Sequence, residues 1–448
     1  MSFAIFIVYV LCTYLRPFEI VAPDLAPYRP MLILSLLAFA VAGTRAFARK
    51  EVACRAVHFG LLSLFVASIS LSQVANGYVS GALDAALDFS AAAMLAVLCF
   101  LNLTSTRRLH LTCVAMMFSL TALAALGVLS FHTGFMADDL VLQQNDPSFS
   151  DADETFEPQD GVAPSDDRSG RFLLRVRGVG FLNDPNDFSQ ALVAVLPLLW
   201  WLYVPGRWMR NLFVVWGPGV LLTYTIYLTQ SRGALLGVIA IVLLVMQKAI
   251  GTLRTMLFAI VVVLGVGALS FGGRQVSTKE ESAAQRIEAW EEGLSMLRSK
   301  PILGVGYGNF TDHHYLTAHN SFVLCFAELG LVGYFAWLGM IVLTYKGLNQ
   351  AVRLAPAEAV ERRLAIALRA SLMAFLACSW FLSRTYSPGL FFLMSLGVAS
   401  WFRIWQIHES GTRSALTEPV YWRMSTFIMM VLSLFAVYAF VLVQRITG

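Results

Sequence analysis

The stretch 315–337, YLTAHNSFVLCFAELGLVGYFAW, sets His319 and Asn320 at the mouth of an apolar run. From Ser321 the run extends to Thr344, enough to cross ~30 Å of hydrocarbon as a helix. Comparable runs recur near 2–15, 31–47, 56–75, 85–103, 110–131, 188–204, 211–229, 233–249, 254–271, 365–383, 388–406 and 424–445. Backbone groups in lipid are satisfied only inside helices or closed barrels, and runs of this length select helices. The chain of 448 residues is 58% hydrophobic and 13% charged. A soluble domain is about half apolar and a quarter charged, so that class is excluded. The expected fold is all-α, a polytopic membrane bundle of 12–13 transmembrane helices with a large helical outer loop. The first run, Phe3 to Leu15, lacks a small-residue cleavage site and reads as a retained helix.

Charge orients the bundle. With the N-terminus inside, the inner segments hold 18 of the 32 basic residues, among them Arg45, Arg55, Arg108, Arg210, Lys346, Arg363 and Arg403. The short outer loops and the tail hold five: Arg16, Arg29, Arg232, Arg384 and Arg445. The positive-inside rule therefore sends both long hydrophilic segments outside. The resulting order is N-terminal helices over 1–131, an acidic outer loop over 132–187 and core helices over 188–271. A second outer loop over 272–320 and C-terminal helices over 321–448 complete it.

The two outer loops differ in kind. The first holds ten carboxylates between Asp138 and Asp167 before its first base, Arg168, and reads as disordered or loosely held. In the second, Ile287, Trp290, Leu294 and Leu297 repeat at three- and four-residue steps. They form the apolar stripe of a helix that Pro301 ends, suited to lie along the membrane–water boundary. GVGYGNF, 304–310, follows as a flexible connector to His319.

Several polar residues sit where lipid disfavours them. Arg232, in YLTQSRGALLGV (227–238), lies between two spans with almost no loop. Its planar fork of donors suits phosphate oxygens, and it equally suits capping the preceding helix. Arg286, beside the stripe of the outer helix, and Arg384, in LSRTYSPG (382–389), carry the same choice between structural and ligand-binding roles. His319 can be neutral outside the cell and accept a proton from a hydroxyl; the alternative is an interfacial hydrogen-bonded histidine. Asn320 adjoins it. In GFLNDPNDFSQ (180–190), Asn186 or Asp187 caps the next helix, and the polar density also suits sugar hydroxyls. Glu328, nine residues past His319, falls on the opposite helical face and reads as packing glue. Asp84 and Asp88 stand one turn apart at an outer helix end, as pathway residues or an exposed helix start. His313, His314 and His319 do not have a recognised metal-ligand spacing. The six cysteines form no CxxC pair, which supports neither a disulfide framework nor a thiolate site.

The order SRGA between two spans, RIEAWEEGLSMLRSKPILGVGYGNF in an outer loop, then AHNSF opening a span resembles the O-antigen ligase and polymerase superfamily. The resemblance covers roughly residues 180–345. It implies a glycosyltransferase of the bacterial inner membrane with its active site facing the periplasm. Such an enzyme moves a glycan from undecaprenyl diphosphate to an acceptor hydroxyl on lipid A–core or another glycan, without a cofactor or metal. It further implies that Arg232 and Arg286 grip the diphosphate and that His319 is the base; Asn320, Arg384 and Asn186 are further candidates for substrate contact. The partners expected are the lipid-linked donor, the acceptor and the bilayer, with no nucleic acid. Ligase, polymerase and protein O-glycosylation share these motifs. A lipid-glycan transporter is a different class, disfavoured because the notable arginines gather at one face rather than along a path.

Overall fold

The structure is a computed structural model that describes residues 2–49, 51–145, 163–166, 172–251, 254, 277–411 and 420–447. The span expected at 254–271 and most of the acidic stretch 138–167 lie outside the described residues. The long helices are α1 (Ser2–Leu15), α2 (Pro30–Arg49), α3 (Ala56–Ala75), α4 (Gly81–Asn102) and α5 (Thr106–Thr133). Then come α6 (Pro185–Leu202), α7 (Trp208–Leu228), α8 (Arg232–Ile250) and α9 (Ser277–Ser299). The last four are α10 (Ser321–Leu354), α11 (Val360–Ser379), α12 (Pro388–Gly411) and α13 (Arg423–Thr447).

Each expected span within the described residues is a helix, and the protein is an all-α polytopic membrane bundle. Among the described residues eight helices are long and apolar enough to cross a membrane: α2, α3, α4, α5, α7, α10, α12 and α13. Four others were expected to cross as well: α1 and the apolar part of α8 (Arg232–Val245) are shorter than that length, and α6 and α11 are less apolar. α6 opens on Asn186, Asp187, Ser189 and Gln190, and α11 carries Glu361, Arg362, Arg363 and Arg369. Protein rather than lipid surrounds much of them. Gln190 Nε2 donates to the Phe375 carbonyl (2.9 Å) and to Ser379 Oγ (2.8 Å), satisfying a buried amide between α6 and α11. A Cβ on Gly237 of α8 would meet Cys378 Sγ of α11 at 2.5 Å and Val193 Cγ1 of α6 at 2.8 Å, so three helices pack closely there.

α10 is the central helix, with 83% of its apolar window buried against 17% for α2 and 28% for α13. Its helix is interrupted at Gly330, whose φ of 61° and ψ of −165° leave the helical region. The loop after α9 supplies what the break removes. Val305 and Gly306 amides donate to the Ala327 and Glu328 carbonyls, both at 3.0 Å, while Leu331 and Val332 amides reach the Pro301 and Ile302 carbonyls. Non-helical backbone at this depth survives because protein satisfies it.

That loop is the segment expected to be a flexible connector, and the structure corrects the expectation. Gln73 Nε2 donates to the Tyr307 carbonyl (2.5 Å), Asn76 Nδ2 to the Gly304 carbonyl (2.9 Å), and the Tyr307 amide to Ser72 Oγ (3.0 Å). Its glycines serve close approach: a Cβ on Gly304 would lie 2.3 Å from the Glu328 carbonyl carbon. The stripe of α9 is corrected too. Trp290 packs edge-on against Trp380 and Phe440, and Gly293 meets Val323, so the stripe faces the bundle rather than a lipid boundary.

The described ends of the acidic loop are ordered, contrary to expectation. Strand β1 (Val141–Asn145) pairs antiparallel with β2 (Phe172–Val176), Val141 opposite Val176. Ladder hydrogen bonds satisfy backbone that a loose loop would leave to water.

The helix ends sort by charge. Arg108 Nη1 donates to the Asn102 carbonyl, Arg55 stacks over Trp405 at 5.0 Å and Arg363 reaches the Tyr203 carbonyl. The starts of α6, α8 and α10 and the end of α11 lie at the opposite end of the bundle.

Candidate active site

The start of α10 carries the histidine. Asn320 is its N-cap, fully buried, with Oδ1 accepting from the Phe322 (2.9 Å) and Val323 (3.2 Å) amides. On the other side, Trp290 Nε1 of α9 donates to the Ala318 carbonyl at 2.9 Å. Between these anchors His319 adopts φ 46°, the left-handed region, which costs a residue with a Cβ about 1 kcal/mol or more. Two fixed neighbours hold the strained residue in place. Its ring is half-buried, and no side chain or backbone group among the described residues hydrogen-bonds to it.

The loop joining α11 to α12 is latched onto the same helix start. Ser321 Oγ donates to the Leu382 carbonyl (2.5 Å) and accepts from the Arg384 amide (2.8 Å). Thr385 Oγ1 donates to the Ser321 carbonyl (2.6 Å), and Trp337 Nε1 to the Thr385 carbonyl (3.1 Å). Tyr386 donates to Glu328 Oε2 at 2.7 Å, so Glu328 braces this loop and does not partner His319, as its helical phase implied. Arg384 is thereby set near His319, and its Nε pairs with the buried carboxylate of Asp187.

Asp187 and Asn186 open α6, but neither caps it. Asp184 does, accepting from the Asn186 amide at 2.7 Å, because the cap must precede Pro185 at the first helical position. Asn186 Oδ1 instead accepts from Arg175 Nη2 of β2 at 2.9 Å. Arg175 Nε donates to the Thr229 carbonyl, also at 2.9 Å, three residues before Arg232 at the exposed start of α8. A continuous chain of contacts thus runs from the Arg232 turn through Arg175, Asn186, Asp187 and Arg384 toward His319. Arg286, half-buried on α9, stands one turn before Trp290 on the helix that anchors Ala318.

The electrostatics match this placement. Burial, then the positive charges of Arg286 and Arg384, push the His319 pKa below the usual histidine value, with Asp184 acting weakly the other way. A neutral imidazole under the influence of two arginines can accept a proton, while the cations can meet an anion near it.

His313 Nδ1 approaches the Asn309 carbonyl (3.1 Å) and His314 Nδ1 accepts from the Leu316 amide (3.1 Å), so both bond local backbone. Among the described residues no three His, Cys, Asp or Glu side chains are grouped to hold a metal ion. Asp84 and Asp88 stay exposed on one face of α4.

Arg175, the Arg384–Asp187 pair and the Trp290–Ala318 bond escaped the sequence reading. Only Arg175 had a local signal, the strand-like run FLLRV at 172–176.

No curated protein matches the chain. Residues 218–338 match the family model described as O-antigen ligase, a stretch that contains Arg232, Arg286 and His319. Over that stretch, about a quarter of its length, the chain is similar to the O-antigen ligase family.

Proposed function

We propose that the protein transfers a glycan from a polyprenyl diphosphate, in bacteria undecaprenyl diphosphate, to an acceptor sugar hydroxyl such as that of lipid A–core. The observation that carries this reading is His319, held in strained backbone between two anchors and kept neutral beside Arg286 and Arg384. His319 takes the proton of the acceptor hydroxyl as its oxygen attacks the anomeric carbon. The bond from that carbon to the phosphate oxygen breaks, and the electron pair leaves with the diphosphate. Arg232 and Arg286 hold the diphosphate and offset the charge that grows on it, work that needs preorganised cations rather than a moving group. Base assistance of this kind typically supplies ~10²–10⁴-fold. Direct displacement inverts the anomeric carbon.

One feature supports an outward-facing site in the inner membrane: the basic helix ends lie opposite the site, and basic ends as a rule stay in the cytoplasm. The test is reconstitution of the full chain with undecaprenyl-diphosphate glycan and either lipid A–core or excess donor. Consumption of lipid A–core establishes the ligase; chain extension on a second donor replaces it with a polymerase. Transfer to neither overturns the reading.

A further inference from the structure

Arg384 is tethered by only part of its guanidinium. Asp187 takes the Nε edge, and among the described residues the two Nη groups meet no acceptor. The side chain is 39% exposed while Asp187 is buried to 9%. The backbone on both sides is fixed: Ser321 holds the Arg384 amide and the Leu382 carbonyl, and Trp337 and Ser321 hold Thr385. A surface arginine this constrained presents its fork in one direction, unlike a solvated arginine that samples many rotamers. The amide bond to Ser321, two residues past His319, sets Arg384 beside the start of α10 that carries the histidine.

We infer that Asp187 is a positioning residue that grips Arg384 by Nε so that the Nη fork faces the His319 pocket as a third cation for the donor's diphosphate. The inference rests on the functional reading above and adds two residues to it, 197 positions apart in sequence. A buried carboxylate is costly unless paired, and Arg384 pairs with this one. An arginine held by Nε keeps the bidentate Nη face that phosphate oxygens fit.

The charges facing His319 are Arg286 on α9, Asp184 at the start of α6, and Arg384 with its partner Asp187. This makes a test independent of turnover. The neutral imidazole of His319 reacts with diethyl pyrocarbonate, and mass spectrometry of the full detergent-solubilised chain across pH gives its titration midpoint. R384Q is expected to raise the midpoint by removing a cation. D187A is expected to raise it as well, because Arg384 is released, and the double variant is expected to go no higher than R384Q. D187N keeps a hydrogen-bond acceptor for Nε without the negative charge, so its midpoint stays at or below that of the wild type. In parallel, the affinity for undecaprenyl diphosphate is expected to fall about tenfold or more in R384Q and D187A, and to be largely retained in D187N. A wild-type midpoint in D187A, or additive shifts in the double variant, overturns the role of Asp187. Equal affinity across the variants overturns the third cation. A wild-type chain that binds no undecaprenyl diphosphate overturns the donor reading instead, and the midpoints still decide how the pair is placed.

Discussion

Trp290 Nε1 donates to the Ala318 carbonyl at 2.9 Å, tying the outer helix α9 to the residue before His319. The same indole packs against Trp380 and Phe440, so it joins α9 to the α11–α12 loop and to α13. Replacing Trp290 with Phe keeps most of the aromatic contact and deletes the donor, leaving a buried carbonyl unpaired. The expected cost is about 1–2 kcal/mol of stability. Transfer should fall about tenfold or more, because His319 loses one of its two anchors. Thermal unfolding and turnover of the purified variant check both numbers. A variant with normal turnover would show that the left-handed backbone holds without the indole.

His319 should act as base to lower pH than an ordinary histidine. Burial and two arginines lower its pKa, so it stays neutral below the usual value near 6.5 and protonates only when the pH falls further. The acid limb of kcat/KM should therefore lie below that value. Arg286→Gln removes one of the cations, so its residual activity should show the limb moved upward. His319→Ala should remove transfer at every pH while the chain still folds. A wild-type limb above the usual histidine range would count against His319 as the titrating base.

The helices were legible because span length and charge bias are written locally by lipid solvation. Residues 172–176 gave a strand signal, but ten carboxylates nearby drowned it, and Arg175 was read as part of a loose loop. The Arg384–Asp187 pair joins residues that no local period connects. The break at Gly330 was hidden by an unbroken apolar run; the helix stops there because a loop some 25 residues upstream supplies replacement hydrogen bonds. GVGYGNF looked flexible because glycine permits many conformations, and the structure uses that freedom for one close approach. His319, Arg232 and Arg286 were legible as chemistry, since a histidine and arginines at span ends need a reason. What holds them was not.

Gly330 is the sharpest test of the broken helix. A Cβ there would lie 2.4 Å from the Ile302 carbonyl carbon and oxygen, at a φ of 61° that already disfavours a side chain. Gly330→Ala should cost more than about 2 kcal/mol, through both backbone strain and the displaced loop. Gly60 of α3 has open space where its Cβ would go, so Gly60→Ala serves as the control and should leave the melting temperature nearly unchanged or slightly raised. Thermal unfolding in detergent compares the two. Equal melting temperatures would mean that α10 can run straight through.

Arg175 predicts a defect of a different kind. It reaches the Thr229 carbonyl and Asn186 from β2 with two separate guanidinium nitrogens, bridging the α7–α8 turn and the start of α6. Lysine keeps the charge and has a single ammonium, which cannot span both acceptors in that geometry. Arg175→Lys should therefore fold normally yet let the turn bearing Arg232 drift from Asn186. If Arg232 holds the donor, the KM for lipid-linked glycan should rise about tenfold while kcat falls less, because ground-state positioning is what is lost. Arg175→Gln should behave alike if geometry matters, and far worse than Lys if charge alone does. Comparing the two variants by steady-state kinetics separates a bridge from a mere cation, and equal wild-type constants in both would remove Arg175 from the site.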